Sequence, residues 1–546
     1  MIFLSTLIKV ASITSIVLLA GGSTYYYLQS DNSNKLERNH LKGNHVKVHN
    51  THFHHGKMED EEVHICNHGH FIKEIEIEEP ERPTEIPIEA RLSHEQMLIK
   101  DHKQGNWQTI RIKTDYSSFQ ASQQQADFIE NKLVKAATGF LKAAIKVYPS
   151  SKLFLSGQCG TVMIPSSFKS GVNGVDLVLF VTATTSQETW VARAGACRLD
   201  PTTLRPTAGS LEFNLKYFNQ LDFSKLSEGK WFKWIQTTIH EITHVLGFSS
   251  GLFPYYIDPN TMQKLGLSQI VKSYGGRDWI ILPKVVNAVK SHFGCQSAWG
   301  APLENNGGQG TAGSHWERTA FGNEAMTGSE FPDSVFTIFT FNLLESTGWY
   351  NMDHRQSEPF NWGKDEGCPI AQGQCVQGLR EFCKAGSDGC SSDFTGIATC
   401  SLSDVLTDGC GYWRAYGNSD CRYNSDFIGQ LAQYGGYYGN DSKCFYTTLP
   451  TKIGFQGVVS DCFKALCQDN VVTFSITNKS YQCVTTGQTI NVKYSYYSAT
   501  VTCPDIKHFC NTQRTCPNAC SGVGTCRGTT CYCWSGYSGA DCSTSL

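Results

Sequence analysis

Residues 237–251 read TTIHEITHVLGFSSG. Two histidines, His240 and His244, stand four residues apart, with Glu241 beside the first. On a helix, residues four apart lie on one face, about one turn along. The wider stretch 231–248, WFKWIQTTIHEITHVLGF, carries apolar residues at helical spacing, and Gly247 is a helix-stop signal. The spacing predicts a buried helix that ends near Gly247 and offers two imidazoles to one metal ion at about 2.0–2.1 Å. Glu241 is one step round the helix, within reach of a water but not a ligand itself. The bland alternative is a chance histidine pair on a surface helix, and the apolar flanks argue against it.

A protein zinc site needs a third ligand. Gly247 breaks the helix three residues after His244, so the chain is able to turn back beneath the metal. Three residues further stands Ser250, which carries no imidazole. The next histidines are His292, in VKSHFGC, and His315, in GSHWERTAFGNEAMTG. His315 is the expected ligand. Its Gly/Ser-rich loop is able to fold back, and Met326 follows eleven residues later in a turn-like NEAMTG. His292, beside Cys295 at a helix end, is the competitor.

HEITHVLGFS, a long insertion, SHWE and NEAMTG together resemble the leishmanolysin family of metzincin zinc proteases. The resemblance extends through CGTVMIPSSF, DLVLFVTA and ACRLDPTTLRPTAGSLEFN into a cysteine-rich region, roughly residues 105–510. It implies an α+β architecture: a mixed twisted sheet with an active-site helix, then a disulfide-rich domain. It further implies one Zn2+ per chain on His240, His244 and His315, Glu241 as general base, and Met326 as the Met-turn. The implied activity is endopeptidase cleavage of protein or peptide substrates laid along an edge strand, a mode that tolerates varied side chains. Many members of the family end in a hydrophobic lipid-anchor signal. This chain ends in CSTSL instead, so attachment to a surface is expected from the N-terminus or from binding.

Composition agrees with export. Of 546 residues, 40% are apolar and 17% charged, which indicates a globular chain. A net charge of −3 argues against nucleic acid as a partner. The 23 cysteines, concentrated after residue 360, suit an oxidising compartment. Residues 1–28 read as a signal peptide or, if uncleaved, a signal anchor; the membrane is a partner only in the second case. Asn440 and Asn478 are N-glycosylation acceptors. The expected place is the extracellular space or the outer face of a membrane.

The expected organisation then follows in chain order. Residues 29–104, rich in histidine and acidic residues, are a propeptide; 105–251 carry the zinc helix; 252–355 hold the insertion, the third ligand and the Met-turn; 356–511 are the cysteine-rich domain. Residues 512–546 place six cysteines in a short span that resembles an EGF-like module, with a cell-surface ligand as a possible partner. Within the first body the pattern reads strand, helix, strand, strand, helix, with helical spacing followed through Val147.

The odd cysteine count makes Cys66, in HICNHGH, the natural unpaired thiol. Propeptide cysteines cap the zinc in leishmanolysin-like and other metzincin precursors, so the resemblance implies that role for Cys66; a free thiol or an intermolecular pairing are the alternatives. The neighbouring His64, His68 and His70 read as solvated. A second function class stands beside the protease: an inactive adhesion or binding protein that kept the fold. A third is a zinc hydrolase acting on something other than peptides.

Overall fold

A run such as DLVLFVT (176–182) has no polar face and has to be covered on both sides. The computed structural model describes Cys66, His68 and residues 105–219, 221–223, 228–329, 331, 334–422, 435–449, 459–495 and 497–546. The expected targeting segment and nearly all of the expected propeptide lie outside these residues.

The first body contains β1 (Gln108–Thr109), β2 (Ile112–Asp115), α1 (Gln123–Phe128), a π-helical segment (Ile129–Val134), α2 (Lys135–Ala144), β3 (Ile145–Val147), β4 (Leu177–Thr184), β5 (Ala192–Leu199), β6 (Pro206–Asn214) and α3 (Glu228–Leu246). One sheet has the order β2-β4-β6-β5. Strands β2, β4 and β6 run parallel, and β5 is an antiparallel edge strand. The architecture is thus the expected α+β mixture.

Two readings of the sequence need correction. The helical spacing was followed through Val147, but the helix stops at Ala144 and Ile145–Val147 pairs with β1. Its buried–exposed–buried alternation and β-branched residues favour a strand. The edge strand β5 is a fourth strand that the sequence pattern did not show. Apart from Leu199 its residues, ARAGACRL, are small or charged and carry little strand propensity; pairing with β6 sets its conformation.

Helix α3 packs on β5 and β6 through Ile235, Ile239, Ile242, Val245 and Leu246, all fully buried. Gly209 on β6 makes the approach possible: a Cβ there would lie 2.4 Å from Val245 Cγ1. After α3 the chain builds α4 (Pro283–Phe293) within the insertion and α5 (Ile338–Ser346). Gly348 ends the latter segment with φ +79°, where a Cβ would meet the Ile257 carbonyl oxygen at 2.3 Å.

Beyond residue 352 the backbone is mostly strands and cross-links. Six strands spanning 442–502 form one antiparallel sheet over a second hydrophobic core that includes Phe445, Phe463 and Phe474. Eleven disulfides join every cysteine except Cys66. That number places the chain in an oxidising compartment. Among the described residues no helix is long and apolar enough to cross a membrane. The last segment is closed by Cys516–Cys526, Cys520–Cys531 and Cys533–Cys542. It is packed onto the first body: the Trp534 ring lies 5.3 Å from Phe140, and Ser535 N donates to the Gly139 carbonyl at 3.0 Å.

Candidate metal centre and active site

The apolar face of α3 fixes its rotation on the sheet, and that rotation turns His240 and His244 to the same side. Just past Leu246 the chain turns at Gly247, so the Phe248 carbonyl comes back to His244 Nδ1 at 2.6 Å. Added bulk at Gly247 is resisted, since a Cβ would stand 3.2 Å from the Thr347 methyl.

The loop 311–315 returns to this helix end and brings His315 to the pair. The three Nε2 atoms form a triangle with sides of 3.1, 3.1 and 3.3 Å. All three Nδ1 atoms face backbone carbonyls: Ala325 for His240, Phe248 for His244, and Thr311 for His315. A carbonyl only accepts, so each Nδ1 carries the hydrogen and each Nε2 presents a lone pair. Burial, reinforced by the neighbouring histidines, pushes the His244 and His315 imidazoles well below their ordinary pKa, which keeps them neutral.

Three lone pairs pointed at one another repel unless a cation lies among them. A tetrahedral ion with nitrogen ligands at 2.0–2.1 Å has ligand–ligand edges of roughly 3.3 Å, close to the observed sides. The donor set and its spacing therefore fit a zinc ion. His292 is elsewhere. Its Nε2 bonds the Trp362 carbonyl at 2.8 Å, and burial lowers its pKa to about 4.

Cys66 closes the fourth side. Its Sγ is 3.7 Å from His244 Nε2 and 3.5 Å from Glu241 Oε1. One ligand atom from each of Cys66, His240, His244 and His315 lies within 4.8 Å of the others. A sulfur ligand at about 2.3 Å would stand roughly 3.6 Å from a nitrogen ligand of the same ion, again close to the observed spacing. The backbone around Cys66 is pinned as well: its N–H donates to Gly328 O at 2.9 Å, and Thr311 Oγ1 donates to its carbonyl at 2.8 Å.

Glu241 is fully buried, and its Oε2 accepts from Ala194 N on β5 at 3.1 Å. The other oxygen, Oε1, faces Cys66. Met326 is fully buried, and its carbonyl accepts from Trp316 N at 2.9 Å, next to His315. The turn around Met326 thus supplies backbone to three parts of the site: Ala325 to His240, Met326 to the third-ligand loop, and Gly328 to Cys66.

Several residues here were not legible as site residues. Glu324 lies inside NEAMTG yet reads as an ordinary loop acid. It is fully buried, accepts from Met326 N, Thr337 N and Thr340 Oγ1, and anchors the turn; burial raises its pKa to about 7. Ser250 replaces a ligand at the position three past Gly247. It now holds the residue beside His315, through Ser250 N to Ser314 Oγ at 3.1 Å. His68, read as solvated, is fully buried. Its ring stacks on His244 at 3.7 Å, and its Nδ1 lies 2.8 Å from Ala194 O. Burial lowers its pKa to about 3. The Cys–x–His spacing was the available signal for His68, since it puts both side chains near one metal. Of the two sequon asparagines, Asn478 is exposed and Asn440 is half-buried.

A mixed sheet with an antiparallel edge strand, an active-site helix beneath it and three converging imidazoles define a metzincin-type fold. Comparison with known sequences identifies the family. The leishmanolysin family profile matches residues 123–404, more than half of the chain, so the chain belongs to the leishmanolysin family of metal-dependent peptidases. It is 26% identical over 446 residues to a leishmanolysin-like peptidase of Drosophila melanogaster, covering 63% of this chain and 64% of that one. It is 33% identical over 258 residues to a leishmanolysin-like peptidase of Caenorhabditis elegans, covering 40% and 37%. A leishmanolysin homolog of Crithidia fasciculata is 27% identical over 262 residues, covering 46% and 37%. The chain thus spans less than two thirds of the length of these relatives.

Proposed function

We propose that this protein is a secreted or cell-surface zinc endopeptidase, made as a latent precursor, that hydrolyses peptide bonds in proteins. The observation that carries the proposal is the triangle of three imidazole Nε2 atoms with Glu241 beside it. His240, His244 and His315 would hold one Zn2+, which supplies Lewis acidity and lowers the pKa of a water.

The rest is done by the chain. Ala194 N fixes one oxygen of Glu241, so the other is directed to take a proton from an attacking water and pass it to the leaving amine. The open edge of β5 offers main-chain groups to an extended substrate. In the precursor both are covered. Cys66 stands where a water would stand, and His68 takes the Ala194 carbonyl on the edge strand. A thiolate is a good zinc ligand, so removal of this segment is the activating event. The terminal six-cysteine segment reads as an EGF-like module with a cell-surface ligand, and Asn440 and Asn478 as glycosylation sites.

The inactive adhesion reading keeps the same fold and the same module, and one experiment separates the two. Propeptide-free protein is assayed on casein with and without a chelator, beside Glu241→Gln. The protease reading expects hydrolysis that the chelator abolishes, and a Glu241→Gln protein that holds zinc but loses at least about a hundredfold in rate. Zinc-loaded, propeptide-free protein that cuts nothing would leave the adhesion reading standing.

A further inference from the structure

Next to His240 and Glu241 a narrow pocket runs between α3 and the chain that follows Met326. It is lined by Lys233, Gln236, Thr237, Ala325, Thr327 and Phe331, among others, with Cys66 also on its wall. Its empty volume, mouth included, is about 380 Å³, which suits one side chain. Phe331 and Ala325 give the pocket an apolar wall, and Gln236 is one of the polar residues that face it.

Gln236 is 5% exposed. Its Nε2 donates to the Ser334 carbonyl, an atom that only accepts, so the chemistry of that bond fixes which way the amide points. Among the described residues its Oε1 is then an acceptor buried without a donor. The hydroxyls around the pocket do not supply one. Thr237 Oγ1 donates to Lys233 O, Thr327 Oγ1 to Glu324 O, Ser329 Oγ to Asp404 Oδ2 and Ser334 Oγ to Phe331 O. Each of these protons is already committed to the protein. A buried acceptor in this state gains from any guest that brings an N–H or O–H.

We infer that Gln236 is a specificity-determining residue: the pocket takes a substrate side chain adjacent to the scissile bond, and it favours a neutral amide, glutamine above all. A glutamine stem fits the apolar wall formed with Phe331 and Ala325, and its amide N–H meets Gln236 Oε1. Methionine has the same length but brings no donor. Glutamate has the same shape but brings only acceptors to an acceptor. Lysine brings donors, but with a charge beside the Lys233 cation. The inference rests on the endopeptidase reading of the site.

The test uses propeptide-free full chain and a peptide set that varies one residue beside the cut through Gln, Glu, Met, Leu and Lys. Rates are measured with wild type, and binding is measured calorimetrically on Glu241→Gln. The expected result is a kcat/KM for Gln on the order of tenfold above Met and Glu, matched by tighter binding to Glu241→Gln, because a neutral hydrogen bond is worth about one factor of ten. In Gln236→Met the order of Gln and Met should reverse. Preference for Glu would give the pocket to Lys233 and overturn the inference. Preference for Leu, or an unchanged order in Gln236→Met, would overturn it as well. If wild type cuts none of the set while Glu241→Gln still binds the Gln peptide most tightly, the peptidase reading fails and the pocket assignment survives.

Discussion

The first body and the cysteine-rich half solve the same problem differently. In the first body one extended hydrophobic core, from Ile110 to Met352 and beyond, covers the sheet and α3, and within residues 105–294 a single disulfide, Cys159–Cys197, ties the sheet. In residues 375–510 the core is smaller and six disulfides hold the strands together. A large core is able to enclose polar groups that find partners, and His240, His244, His315, Glu241 and Glu324 sit fully or nearly buried there. The smaller core encloses polar groups too, among them Asp461, Lys443 and His508, and there covalent links restrict the unfolded state as well. Sulfur marks the difference. In one half it is a permanent cross-link, while Cys66, which forms no disulfide, stands beside the three converging histidines.

The sharpest way to break this comparison is to remove one buried ligand. His315→Ala should lower zinc affinity by more than the roughly 10–100-fold typical of losing an outer-shell partner, whereas His292→Ala should leave zinc content unchanged. Equal zinc in the two proteins, measured by metal analysis after dialysis, would end the assignment of His315.

The role of the Cys66 sulfur comes next. Cys66→Ser should give a precursor that cleaves casein without removal of the propeptide. A Cys66→Ser precursor that stays fully latent would mean that His68 and the surrounding backbone do the silencing.

Reduction should then separate the halves. Each native cross-link removed costs about 2–5 kcal/mol, so dithiothreitol should strip hydrogen-exchange protection from the strands in 442–502 first and leave α3 and β6 protected. Simultaneous loss in both halves would show that the first body leans on the same staples.

The smallest effect concerns acid. His508, in the cysteine-rich half, bonds the Ser392 carbonyl at 2.9 Å, and burial lowers its pKa to about 4. The unfolded chain protonates this histidine near 6.5 and the folded chain only near 4. Its contribution is therefore present above about pH 6.5 and is lost as pH falls towards 4. Thermal unfolding of that half should drop across this window, and His508→Gln should flatten the drop. An identical pH profile in the variant would assign the effect to other groups.

Legibility followed the range of the interactions. His240, Glu241, His244 and Gly247 are set by helical periodicity and a stop signal, both local, so they stand out in the bare sequence. Cys66 as the odd thiol came from counting, and Met326 from a motif. β5 was hidden because small residues carry little strand preference of their own; its geometry comes from β6. Glu324 and His68 were hidden because nothing in their neighbours along the chain says that they are buried.

What the sequence determined by itself is the chemistry: which imidazoles, which carboxylate and which thiol are present, and on what helix face the first pair lies. What the tertiary structure decided is the closure of the site. His315 lies 71 residues beyond His244, and Cys66 lies 178 before it. Contacts over such separations depend on the whole core folding around them, and no local propensity encodes them.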